Sequence, residues 1–307
     1  MRVSGIAVVA LILGAFLYLQ LYAQFCAQAY AQTQTQSEAQ KKLAVPTASS
    51  AHSTTRHART ARFTANCSSP QFPSATATPI DSKCGNDGDG GAEKTQNDAK
   101  NNFCPLNSTA QSITVGQLAD LQQKASAENI PFGNIDGHPL STSPGPATNR
   151  QPLKTLGEGK LVTLEGYVKT ATQEGDESVN CGTKFDSLGS AQQPAFHDIH
   201  VSLISALGQA ECDGIVAEMI PHHRPGAWTA DTVNQVSAAK LKVRVTGQLM
   251  FDSSHTPCVN GQPVKGADFS DPARISLWEI HPIYKFEVCT KADCTSGGWI
   301  DLALWTQ

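Results

Sequence analysis

Two residue pairs carry the clearest chemical potential in this sequence. Asp198 and His200 are two positions apart, and so are Glu279 and His281. In extended chain that spacing puts both side chains of a pair on one face. Pro221-His222-His223-Arg224-Pro225 adds two adjacent imidazoles bounded by prolines, and six of the nine histidines fall between His197 and His281. Imidazole with carboxylate is a donor set for zinc, copper, iron or nickel. Asp198, His200, His222, His223, Glu279 and His281 are therefore the candidate ligands of a transition metal such as zinc. The competing reading is structural, since polar residues within strands commonly serve as hydrogen-bonded wall residues. No HExxH helix or other metal signature is present, nor a nucleophile elbow, Walker loop or GxGxxG turn. Asp198, Glu218 and Arg224 supply the residue types of a metal-dependent nuclease or phosphodiesterase, without a spacing that identifies one.

The elements that must position these residues are mostly strands. Residues 161–169 alternate Val162, Leu164 and Val168 against Thr163, Glu165 and Lys169, the pattern of a strand with one wet face. Residues 198–203, 215–220, 241–251 and 275–288 read as four more, the last interrupted by Pro282. Between the third and fourth, Thr229 is placed to cap a helix carrying Val233 and Val236. Gly166 and Gly247 sit inside strands, where glycine marks a bulge or sharp bend. The order β-β-β-α-β-β predicts a mainly β fold, a five-stranded OB-like barrel. In that topology the start of strand two, the end of strand three and part of strand five share one rim, so the candidate ligands converge there. His255, after strand four, belongs at the opposite rim. Trp228, Trp278, Tyr167 and Phe196 read as core or rim packing.

Gly-Tyr-Val (166–168), Glu-Ser-Val-Asn-Cys (177–181), His-Asp-Ile-His (197–200), Pro-His-His-Arg-Pro (221–225), Val-Thr-Gly-Gln-Leu (245–249) and Ser-Leu-Trp-Glu-Ile-His-Pro (276–282) together resemble a group of uncharacterised secreted bacterial proteins. The resemblance covers roughly residues 80–305. It implies an exported OB-like domain with these limits and carries no established activity or site residue.

Ahead of the barrel the texture differs. Residues 1–31 have a charged start, an apolar run from Gly5 to Leu19 and small-x-small exits at Ala27–Ala31, the pattern of a secretory signal peptide. Residues 32–75 are rich in Gln, Thr, Ser and Ala and read as a disordered linker. Residues 76–155 form a loop-rich, cysteine-containing extension with one short helix, Val115–Ala127, opened by a Thr114/Gln117 capping box. Asn86-Asp-Gly-Asp-Gly-Gly91 lacks the ligand set of an EF-hand and reads as a turn. Residues 140–152 read as a linker, leaving the barrel at 156–307. Loss of Cys26 with the signal leaves eight cysteines, an even number suited to up to four disulfides in an oxidising compartment. Proximity in sequence suggests Cys84–Cys104 and Cys181–Cys212.

Charge limits the partners. The whole chain has a formal net charge of −4, and residues 156–307 hold 11 basic against 18 acidic residues. Nucleic-acid binding needs a basic surface to neutralise phosphates, so the OB default is not assumed. After removal of the signal no segment suits a membrane span. The sequence thus points to an exported binding module whose polar barrel rim takes a ligand, a metal or a cell-envelope component. A hydrolase at the same rim and a purely structural envelope protein are the alternatives.

Overall fold

The alternation in residues 161–169 builds a strand that turns Val162, Leu164 and Val168 into an apolar core. The computed structural model describes residues 87–88, 93–133, 149–175, 177–180, 196–264, 272–295 and 297–306, all within the unit Thr60–Gln307. The expected signal peptide and linker, residues 1–75, lie outside them. The described strands are β1 (Gln111–Ile113), β2 (Leu161–Gln173), β3 (Ile199–Ile204), β4 (Ile215–Met219), β5 (Lys242–Phe251), β6 (Trp278–Cys289) and β7 (Trp299–Asp301). The helices are α1 (Lys94–Lys100), α2 (Val115–Ala127), α3 (Gln151–Leu156) and α4 (Ala230–Ala238).

β2, β3, β4, β6 and β5 pair in that order, and β2 also pairs with β5, which closes a five-stranded barrel. β4 and β6 run parallel, with Ala217 beside Ile280, and the other pairings of the ring are antiparallel. α4 lies between β4 and β5 in sequence, so the order is that of an OB-like barrel. β1 adds in parallel to β2, and β7 adds antiparallel to β6.

β6 does not break at Pro282 as expected; it continues from Trp278 to Cys289. Proline offers no N–H to a ladder, and the pairing absorbs this by shifting register, from Thr246 opposite Lys285 to Gly247 opposite Ile283. Gly247 is required there, because a Cβ would lie 2.3 Å from the Pro282 carbonyl oxygen. A Cβ on Gly166 would likewise come within 2.6 Å of the Ile204 carbonyl oxygen.

α2 begins as the sequence indicates. Thr114 Oγ1 accepts from the Gln117 backbone N–H at 3.2 Å, and Gln117 Oε1 accepts from that of Thr114 at 2.9 Å. Thr229 caps α4, accepting from Thr232 N–H at 3.1 Å. α4 then turns Val233 and Val236 into the core, while Asn234 holds β2 by bonding both the N–H and the carbonyl of Ala171.

The described residues of the extension carry three helices where one was expected, and they are built into the barrel. Val115, Leu118, Ala125, Ile130, Phe132 and Leu153 share one core with Leu164, Val201, Ala217, Ile280 and Phe286. Trp228 and Trp278 are buried in the same core. Arg150, expected in a linker, pairs with Glu158 and donates to the Phe251 carbonyl at 2.7 Å. α1 has a different character, since its buried residues are Gln96, Asn97 and Lys100.

Cys212 bonds Cys258, and Cys289 bonds Cys294. The expected Cys181–Cys212 pairing is thereby corrected. The backbone bonds Cys258 N–H to Arg274 O and Ile275 N–H to Gly214 O bring the loop after β5 beside the turn before β4, so proximity in sequence misled. Cys104 is disulfide-bonded, and Cys84, its expected partner, lies outside the described residues. No described helix is long and apolar enough to cross a membrane.

Candidate metal centre

Strand alternation decides which side of the barrel wall the polar residues occupy. Ile199, Val201 and Leu203 of β3, Ala217 and Met219 of β4, and Trp278 and Ile280 of β6 belong to the barrel core. Their neighbours His200, Glu218, Glu279 and His281 point the opposite way, onto the outer face of the wall. The expected rim position is therefore corrected. These residues are also fully buried, with exposures of 0–1%. In an OB-like barrel without a cover that face would be wet. Here α1 and residues 177–180 lie over it, joined by Asn101 Nδ2 donating to the Val179 carbonyl at 3.2 Å and Asn97 Nδ2 donating to Ser178 Oγ at 3.2 Å. Phe103, just past α1, extends the cover by packing with Ile220 and Tyr284.

Glu218 is the hub. It faces His200 across the β3–β4 ladder, with Oε1 3.2 Å from His200 Nε2. The same Nε2 is 3.3 Å from Glu177 Oε1, and His200 Nδ1 is 3.2 Å from Glu174 Oε1. The second oxygen of Glu218 lies 2.9 Å from His281 Nδ1, which is also 3.3 Å from Glu279 Oε1. Three trios have donor atoms within 4.8 Å of one another: Glu177, His200 and Glu218; Asp198, Glu218 and His281; and Glu218, Asp252 and Glu279. Around them, Asn180 donates to Asp198 Oδ1 at 2.9 Å and Arg274 to Glu279 Oε2 at 3.1 Å. Lys100 Nζ lies 2.7 Å from Asp252 Oδ2 and 4.0 Å from Glu218 Oε2.

Acidic charge exceeds permanent basic charge in this cluster, and the ionisation of the groups reflects it. Burial and then the Glu177 and Glu218 charges hold the Asp198 carboxyl well above its ordinary range. Burial, Glu218 and Asp252 do the same more moderately to Glu279. Burial also opposes ionisation of Glu218, but His200, His281 and Lys100 outweigh it and keep that carboxyl well below the ordinary value. Burial alone would lower His281, yet Glu218 and Glu279 override it and raise the imidazole to about 10.

Four of the six expected ligands, Asp198, His200, Glu279 and His281, meet here. His222 and His223 belong to none of the trios. They sit in a short 3-10 turn, Pro221–His223, and His223 Nε2 is 3.2 Å from the Tyr284 carbonyl, with its ring against Phe103 and Trp228. His255 is not remote as expected; its Nε2 is 3.5 Å from Asp252 Oδ2. β6 has twelve residues and β4 five, and only the first part of β6 lies beside β4, so the end of β5 approaches the same region. Arg224 Nη1 donates to the His197 and Met219 carbonyls at 2.5 and 3.4 Å, so it ties the chain before β3 to the end of β4.

Sequence reasoning named the hub only among the residue types of a metal-dependent nuclease and left it out of the candidate ligands. Its signal was a single acid in the apolar run Ile215-Val-Ala-Glu-Met-Ile220, a charge that burial tolerates only when it is paired. Glu177 lay in a noted motif without a role, and neither Glu174, Asp252 nor Lys100 carried any signal.

No family model matches the chain, and no curated protein matches it. Among solved structures, one assigned as an aspartyl-tRNA synthetase from Leishmania major Friedlin aligns at 13% identity, with a TM-score of 0.23. That alignment covers 62% of this chain and 24% of the other.

Proposed function

We propose that the protein is an exported binding module that holds a divalent transition metal such as zinc through Glu177, His200 and Glu218. The observation behind this reading is that one ring nitrogen, His200 Nε2, faces two carboxylate oxygens at 3.3 and 3.2 Å. A single N–H is directed at one acceptor. An ion with ligand bonds of about 2.1 Å serves all three atoms, because the ligand–ligand edges of tetrahedral or octahedral coordination are then about 3.0–3.4 Å. Glu174 beside Nδ1 supplies the outer carboxylate that typically orients a metal-bound imidazole. The buried setting favours retention of an ion over turnover, since hydrolysis needs an open coordination position. The disulfides support export.

The test is elemental analysis and calorimetric titration of the full chain, made in an oxidising compartment, with Zn²⁺ and Mn²⁺. Wild type is expected to bind, and His200→Ala and Glu177→Gln are expected to lose at least tenfold in affinity while keeping the far-ultraviolet circular dichroism of the barrel. Wild-type protein without binding above background overturns the reading.

A further inference from the structure

Glu218 presents its two oxygens to two different imidazoles, Oε1 at 3.2 Å from His200 Nε2 and Oε2 at 2.9 Å from His281 Nδ1. We infer that the centre is dinuclear, with Glu218 bridging one ion held by Glu177 and His200 and a second held by Asp198 and His281. This rests on the metal-binding reading above.

Three observations carry it. Asp198, Glu218 and His281 form a trio in their own right, with donor atoms within 4.8 Å of one another. Asp198 is fully buried; Asn180 engages its Oδ1, while its Oδ2 has no hydrogen-bond partner among the described residues, leaving one carboxylate oxygen for an ion. Finally, Glu174, Glu177, Asp198, Glu218, Asp252 and Glu279 are six carboxylates against three permanent cations, Lys100, Arg274 and, toward Asp198, Arg224, among the described residues of the cluster. Bound divalent ions offset this excess of acidic over permanent basic groups, which burial would otherwise make costly. Carboxylate-bridged ions sit about 3.5–4 Å apart in two-metal sites, a separation that a single side chain spans. The second ion binds more weakly than the first, because Lys100 Nζ is 4.0 Å from the oxygen it uses.

Zinc titration of the full chain with elemental analysis is expected to give two equivalents for wild type and one for His281→Ala and for Asp198→Asn. Manganese loading gives an independent readout, an exchange-coupled paramagnetic resonance spectrum in place of isolated six-line signals. That measurement on wild type decides the matter even where a variant fails to fold. One equivalent in wild type, with only isolated-ion signals, overturns the dinuclear centre and leaves the single-ion reading standing. No binding at all overturns both.

Discussion

Lys100 Nζ lies 2.7 Å from Asp252 Oδ2, joining the end of α1 to the residue that follows β5. Both side chains are buried, with 8% and 0% of their surface exposed. Burial alone would lower the lysine, but Asp252 and then Glu218 raise it well above its ordinary range. Asp252 is held well below its own, against burial, by Lys100 and His255. Both groups are therefore charged in the folded protein at neutral pH.

Removing one partner of such a pair leaves an uncompensated buried charge, which costs about 3–5 kcal/mol. Lys100→Met is expected to lower stability by that amount in urea unfolding, and Lys100→Met with Asp252→Asn to recover part of it. A loss under about 1 kcal/mol for the single variant would show that the pair contributes nothing net.

His223 sets a pH dependence away from the metal centre. Burial lowers its pKa below 6.5, only partly offset by the Tyr284 carbonyl and the Asp301 charge. The unfolded chain thus takes up this proton first as pH falls, so the contribution is complete above about pH 6.5 and is lost below it. His223→Gln is expected to flatten the fall in urea midpoint between pH 6.5 and 5. An unchanged slope would mean that His223 titrates alike in both states.

The two bridges differ in the loops they close, with separations of 46 and 5 residues. Chain entropy assigns about 4 kcal/mol to the longer and about 2 kcal/mol to the shorter. Replacing both cysteines of Cys212–Cys258 with serine is therefore expected to cost about twice as much as the same change at Cys289–Cys294, measured by urea unfolding. Equal losses would place the stabilisation elsewhere than in loop closure.

Much of the barrel was legible because its elements depend on local pattern. Alternation located β2 and β5, and Thr114 and Thr229 fixed two helix starts through their own side-chain bonds. α1 was illegible, since Lys94-Thr-Gln-Asn-Asp-Ala-Lys100 buries polar residues and shows no apolar period. The site divided in the same way. Two-residue spacing correctly paired Asp198 with His200 and Glu279 with His281 on shared faces. Spacing is blind, however, to which face of the wall is covered, and the cover comes from α1 and residues 177–180. The position of His255 depended on the register between a long strand and a short one, which no local pattern records.

The cover has a consequence for rates. With His200, Glu218 and His281 shielded on the barrel side by the wall and on the other by Lys100 and residues 177–180, exchange of a small species with the bulk is expected to follow the opening of α1 or that neighbouring segment. Such opening is a local unfolding event that recurs at its own frequency. Residence time at the cluster is then governed by how often the cover opens, and a tight occupant and a loose one leave on the same clock whenever reclosure is slower than escape.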